Sequence, residues 1–206
     1  MPAVMPAVAH HQARGRAHGF TLIELMVTLA IMAVLTAIAL PSFSTFMAEN
    51  RAKSKAAQLT AAIQSAQFEA FRRNRQVLFT LTSSIKPSSS LKGDASGQNW
   101  ASVALPLANS DSDEAELIHV GGYTENSSDV ILSASSAGLC FLPDGTLKAN
   151  SATGVSGASC ADPANGTELR VHASRGGKAW QVSVSPLGKI SSCIGTVNSS
   201  DVFNCS

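Results

Sequence analysis

Between Phe20 and Leu40 the chain reads FTLIELMVTLAIMAVLTAIAL, an apolar run of 21 residues with one charge, Glu24. As an α-helix this run is about 31 Å long, which matches the roughly 30 Å hydrocarbon core of a bilayer. It therefore predicts a membrane-crossing helix over residues 20–40. Arg14 and Arg16 precede it with no acid in the first 19 residues. By the positive-inside rule that segment stays in the cytoplasm and everything after Leu40 lies outside. An ionised carboxylate at mid-membrane costs roughly 2.5 to 3.5 kcal/mol on insertion scales, less near a helix end, so Glu24 predicts a functional role.

A removable secretory signal is the alternative, with Ala37-Ile38-Ala39 as its small-residue cleavage site. Glu24 argues against it, and so does the chain beyond Pro41. Ala52, Ala56, Leu59, Ile63, Ala66 and Ala70 recur at spacings of three and four, the stripe of an amphipathic helix. The helix is expected to continue to about Arg73, kinked or loosened at Pro41 by the missing N–H and the ring. Its stripe would seat a sheet. Glu49, Arg51, Lys53 and Lys55 are expected to be solvated or to face neighbouring subunits.

After Asn74 the pattern changes to short β-like runs separated by Ser, Gly, Asn and Asp. Expected strands are Val77 to Thr82, Trp100 to Leu105, Leu117 to Val120, Asp129 to Leu132, Gly138 to Leu142, Thr146 to Lys148, Glu168 to Ala173, Ala179 to Ser185 and Lys189 to Cys193. Pro143-Asp144-Gly145 and Gly176-Gly177 supply hairpin turns. Ser83 to Gly97 and Asn150 to Asn165 read as variable surface loops. The organisation expected is a segment 1–19 on the cytoplasmic side, an anchor helix 20–40, an amphipathic helix 41–74 and a β domain 75–206. The class is α+β, a long N-terminal helix packed on a mainly antiparallel sheet or sandwich.

Four cysteines, Cys140, Cys160, Cys193 and Cys205, lie in the last third. They allow three pairings, of which sequence neighbourhood favours Cys140 with Cys160 and Cys193 with Cys205. There is no CxxC spacing, so structural disulfides in an oxidising compartment are expected over a zinc site. No catalytic constellation emerges. His119 and His172 are isolated, and His10, His11 and His18 precede the apolar run. Asp111, Asp113, Glu114 and Glu116 lack the loop of an EF-hand and read as a solvated acidic loop. No metal or cofactor is expected.

Gly19-Phe20-Thr21-Leu22-Ile23-Glu24 resembles the type III signal of type IV pilins and type II secretion pseudopilins. The resemblance implies that a prepilin peptidase cuts between Gly19 and Phe20 and that Phe20 is then N-methylated. It also implies that Glu24 pairs with the terminal amine of a neighbouring subunit in a filament core, and Pro41 stands where such chains often carry proline. Cys140-Phe141-Leu142-Pro143-Asp144-Gly145-Thr146 and Val182-Ser183-Val184-Ser185-Pro186-Leu187-Gly188-Lys189-Ile190 resemble two hairpins of the GspH/FimT group of minor pilins and pseudopilins. What this implies is a structural subunit and not an enzyme. It would be held in the inner membrane with its C-terminal domain in the periplasm, and its partners would be other minor and major pilins or pseudopilins. A pilus tip role is the first expectation, and a type II secretion pseudopilin the second.

Some FimT-like members bind DNA through a basic G-R-x-R, a third possibility. Here the matching stretch is Gly188-Lys189-Ile190-Ser191, which lacks both planar guanidinium forks. From Val77 onward seven bases face eleven acids, a balance of −4 that opposes phosphate attraction. Arg170, Arg175, Lys178 and Lys189 are the residues left as a local nucleic-acid patch.

Overall fold

A computed structural model describes residues 19–84, 91–107, 114–122, 129–160, 162–165, 167–173 and 178–196. The chain divides into two compact units, Met1–Ser42 and Phe43–Ser206, and helix α1 (Leu22–Arg73) contributes to both. In the first unit α1 presents apolar side chains on every side, from Leu22 to Leu40. Among the described residues no single helical segment is long and apolar enough to cross a membrane alone. Leu22–Ile38 and Ser42–Arg73 meet the requirement as a pair. The gap between them includes Pro41, which has no backbone donor to carry the helical ladder.

In the second unit the predicted stripe is the buried face: Ala52, Ala56, Leu59, Ile63, Ala66 and Ala70 are all inside. Four of the six are alanine, so the helix axis can approach the sheets closely and larger side chains from below fill the space. The helix stops at Asn74, whose left-handed φ of 49° suits its short polar side chain. Asn74 N–H donates to Phe71 O and Arg75 N–H to Ala70 O, both at 3.3 Å. These are the paired bonds of a Schellman terminus, which satisfy carbonyls that the helix leaves open.

Among the described residues eight strands follow: β1 (Val77–Thr82), β2 (Asn99–Ala104), β3 (Glu116–Gly122), β4 (Val130–Ala134), β5 (Gly138–Phe141), β6 (Thr167–Ala173), β7 (Lys178–Val184) and β8 (Ile190–Thr196). They form two four-stranded sheets, ordered β3-β2-β1-β5 and β4-β6-β7-β8. Every strand pair is antiparallel. The expected α+β class is therefore the observed one. Thr146–Lys148 is not a strand, however. Leu147 makes one isolated bridge to Phe141 and donates its N–H to Pro186 O at 2.9 Å, so the donor leaves the ladder for another hairpin.

One core lies between α1 and both sheets. Val77, Phe79 and Leu81 of β1 meet Leu59, Ile63 and Ala66 there, together with Leu169, Val171, Val182 and Val184 from the second sheet. Phe79 stacks on Trp100 with ring centroids 5.9 Å apart. Leu78, the alternate residue of β1, points into a second cluster with Val103, Leu105, Cys140, Ala158 and Cys160. The first sheet is thus buried on both faces at β1 and β5, which is why all six residues of β1 are inside, whereas its edge strand β3 is largely exposed. Residues 91–97 and 150–160 provide the outer cover and are not simply variable surface. Leu91, Thr153, Ala158 and Cys160 are buried, and Gly93 N–H donates to Ser156 O at 2.8 Å.

Candidate functional site

Gly19, Phe20 and Thr21 precede the first helical residue, Leu22. Phe20 is exposed, and nothing lies within 4 Å of where a Gly19 side chain would begin. Among the described residues nothing packs against the Gly19–Phe20 peptide bond, which is non-helical. Residues 1–18, with Arg14, Arg16, His10, His11 and His18, lie outside the described residues.

The first turn of α1 is a capping box, which the sequence reading missed. Glu24 N–H donates to Thr21 Oγ1 at 3.3 Å, and Thr21 N–H points back to Glu24 Oε2 at 3.5 Å. Leu25 N–H then closes the first helical bond on Thr21 O at 3.2 Å. Two donors that a helix start leaves open are satisfied reciprocally, and a carboxylate at that end also suits the helix dipole. The signal was present as Thr-x-x-Glu ahead of an apolar run. The same carboxylate that would be costly in lipid thus has a partner within its own chain.

The two hairpins that carried the family resemblance meet at one side chain. Gln67 Nε2 on α1 donates to Gly145 O at 2.8 Å and to Gly188 O at 2.9 Å. Both glycines have positive φ, 82° and 76°, a region that only glycine enters without a steric cost. A Cβ on Gly188 would sit 1.9 Å from Gly145 O. Asp144 completes the first turn, accepting from Thr146 N–H at 2.9 Å and from Thr146 Oγ1 at 2.7 Å.

Charges at the helix border are spent on the β domain. Arg51 pairs with Asp129 at 2.7 Å, and Glu49 accepts the Lys178 N–H at 3.3 Å. Lys55 is buried, contrary to the expectation of a solvated group, and burial lowers its pKa to about 8 against the opposing pull of Asp129. Only Lys53 of this group behaves as a plain exposed residue. Further along, Glu69 is bound by Arg72 at 2.7 Å and Arg73 at 2.9 Å, and Arg73 also reaches Glu116 at 2.7 Å. The Arg72 hydrogen bond, followed by Arg73, holds the Glu69 carboxyl down at about 2. The network ties the last turn of α1 to β3.

Of the four bases suggested for nucleic acid, the three among the described residues are not gathered. Lys178 begins β7, whereas Lys189 precedes Ile190, the partner of Val184 at the other end of that strand. At the rise of an extended chain the two backbones are about 20 Å apart. Arg170 is engaged mid-strand, donating to Glu168 at 3.0 Å and to Gln181 at 3.3 Å. Arg175 and the Gly176-Gly177 turn fall outside the described residues.

Cys140 and Cys160 form a disulfide, with Cα atoms 5.7 Å apart. Cys193 is disulfide-bonded too, while Cys205 lies outside the described residues. Asp111 and Asp113 are also outside them. Among the described residues no group of three His, Cys, Asp or Glu side chains is placed to hold a metal. His119 is exposed on β3 and His172 half-buried on β6.

A family model described as prokaryotic N-terminal methylation motif matches residues 14–40, and one described as type II transport protein GspH matches residues 55–188. The chain belongs to the GspH family. Two crystal structures of the type IV minor pilin FimU from Pseudomonas aeruginosa resemble this GspH-family chain. One is 19% identical with a TM-score of 0.44, covering 68% of this chain and 90% of FimU. The other is 17% identical with a TM-score of 0.45, covering 74% and 92%. No curated protein matches the sequence. The methylation motif marks the start of α1 as a pilin-like, membrane-anchored helix, and the Gln67 clamp and the disulfide both lie in the GspH-matched part or close it.

Proposed function

We propose that the chain is a minor pilin, a structural subunit that starts assembly of a type IV pilus within a tip complex, and not an enzyme. The observation that carries this reading is the start of α1. An open Gly19–Phe20 bond is followed at once by a capped helix whose apolar surface is bare on every side from Leu22 to Leu40. Such a surface has to be covered by lipid or by other helices, and a filament core replaces one with the other. A prepilin peptidase would release Phe20, and the chain would wait in the inner membrane with its β domain in the periplasm. Glu24 would then exchange its long bond to Thr21 for the terminal amine of a neighbour. Mass determination of the mature protein tests the first step: a methylated Phe20 terminus is expected, and a terminus at Leu40 would mean an exported soluble protein. Glu24→Leu should be processed normally and fail to enter filaments; normal incorporation would refute the pairing.

A second reading, a pseudopilin of type II secretion, is favoured by the description of the matching family. Deletion separates the two, because a pilus subunit costs surface filaments whereas a pseudopilin costs secretion of folded proteins. Nucleic-acid binding is the least supported reading, given the separation of Lys178 from Lys189 and the pairing of Arg170.

A further inference from the structure

Residues 42–50 read Ser-Phe-Ser-Thr-Phe-Met-Ala-Glu-Asn, and their helix has two unlike faces. Ala48 is buried toward the β domain, and Glu49 turns the same way to accept the Lys178 N–H. Phe43, Phe46 and Met47 stand on the opposite face, the two phenylalanines 62% and 60% exposed. Asn50 joins that face and returns its Nδ2 to Phe46 O at 2.9 Å. From Phe43 to Asn50 the face holds no charge. Two exposed phenylalanines one turn apart on an uncharged face are a costly surface to leave in water.

What covers them follows from distance along the chain. The apolar run ends at Leu40 and is about as long as the hydrocarbon core is thick. Phe43 and Phe46 lie about 4.5 and 9 Å further on at helical rise. The headgroup layer on each side of a bilayer is roughly 5 to 7 Å deep, so Phe43 falls within it, while the Phe46 backbone lies about 2 Å beyond its outer limit and its ring, tilted toward the helix N-terminus, reaches back to it. We infer that the Phe43–Phe46–Met47 face is a lipid-interface anchor, seated in the headgroup layer of the membrane before the subunit is assembled. Its rings fix how far the anchor helix sinks, and Glu49 and Arg51, drawn to the β domain, leave the face free to enter. The inference rests on the reading of residues 20–40 as a membrane anchor.

The test uses the full chain in phosphatidylcholine vesicles at low protein density, with bromine placed either near the headgroup end of the acyl chains or near their methyl ends. Phe43→Trp and Phe46→Trp report the proposed face, Leu35→Trp the apolar run and Gln58→Trp an exposed site beyond it. The parent signal of Trp100 and Trp180 is subtracted throughout. The added tryptophans at positions 43 and 46 should be blue-shifted and lose more fluorescence to shallow bromines than to deep ones, with Gln58→Trp unquenched. If Leu35→Trp is quenched and both interface probes are not, the inference falls while the anchor stands. If the interface probes shift only as protein density rises, the face is covered by another subunit and the inference also falls. If none of the probes is quenched, both readings fail.

Discussion

Replacing Gly188 by alanine should be far more damaging than the same change at Gly145, although both glycines have positive φ and both sit in hairpin turns. At Gly145 a Cβ would come no closer than 3.2 Å, to Gln67 Nε2, the mobile end of a side chain. Only the left-handed conformation is then penalised, at about 1–2 kcal/mol. At Gly188 a Cβ would fall 1.9 Å from Gly145 O and 2.6 Å from Gln67 Nε2. Ordinary carbon–oxygen contact begins near 3.3 Å, so the two hairpins must separate by roughly 1.4 Å. That movement breaks both Gln67 bonds and the Leu147 N–H to Pro186 O bond. Each contributes about 1 kcal/mol, which brings the total to about 4–5 kcal/mol. Urea unfolding of the purified chain in detergent, followed by the fluorescence of buried Trp180, reads the difference as a lowered midpoint. Gln67→Leu should fall between the two, since it leaves two carbonyls without their donor. If Gly188→Ala and Gly145→Ala unfold at the same urea concentration, the close approach of the hairpins is not what holds this end of the molecule together.

Three other perturbations have defined signs. Opening the Cys140–Cys160 bridge with Cys140→Ser and Cys160→Ser frees a loop spanning 20 positions and should cost about 3 kcal/mol, read as a lowered urea midpoint relative to the parent that disappears once reductant opens the parent's bridge. Lys55 has a folded pKa of about 8 against 10.5 unfolded, so the unfolded chain binds the extra proton between those values and stability should rise with pH across that window. The gain is up to about 3 kcal/mol, and Lys55→Met should flatten it. Glu69 has the opposite case: its contribution is complete above the unfolded carboxyl range and disappears as pH falls toward about 2. Because Arg72 is half exposed, about 1–2 kcal/mol is expected, and acid titration of Glu69→Gln against the parent should reveal it.

How much of this was legible in the sequence depended on whether a signal was periodic or tertiary. The stripe from Ala52 to Ala70 and the alternation of Leu169 and Val171 against Val182 and Val184 are local repeats, and they became the buried faces. Lys55 occupies the same helical stripe by spacing, yet its charge argued for solvent; Asp129 offsets the cost of burying it, as Arg72 and Arg73 do for Glu69. The separation of 78 and 121 residues between Gln67 and its two carbonyl partners leaves no trace in composition or period. Thr146–Lys148 looked like a strand because it follows the Pro143-Asp144-Gly145 hairpin turn, and only the position of Pro186 shows where the Leu147 donor goes. Glu24 is the subtler case. Read as a lone charge in an apolar run it demanded a partner from outside, and the capping box shows a partner three residues away. The two roles do not conflict. A Thr21–Glu24 bond of 3.5 Å is at the limit of hydrogen bonding, so it lowers the cost of holding a carboxylate near lipid and gives up little when a stronger cationic partner arrives. In the proposed pilus subunit, which would wait in a membrane and then leave it, a charge held in this way would be tolerated in the first state and rewarded in the second.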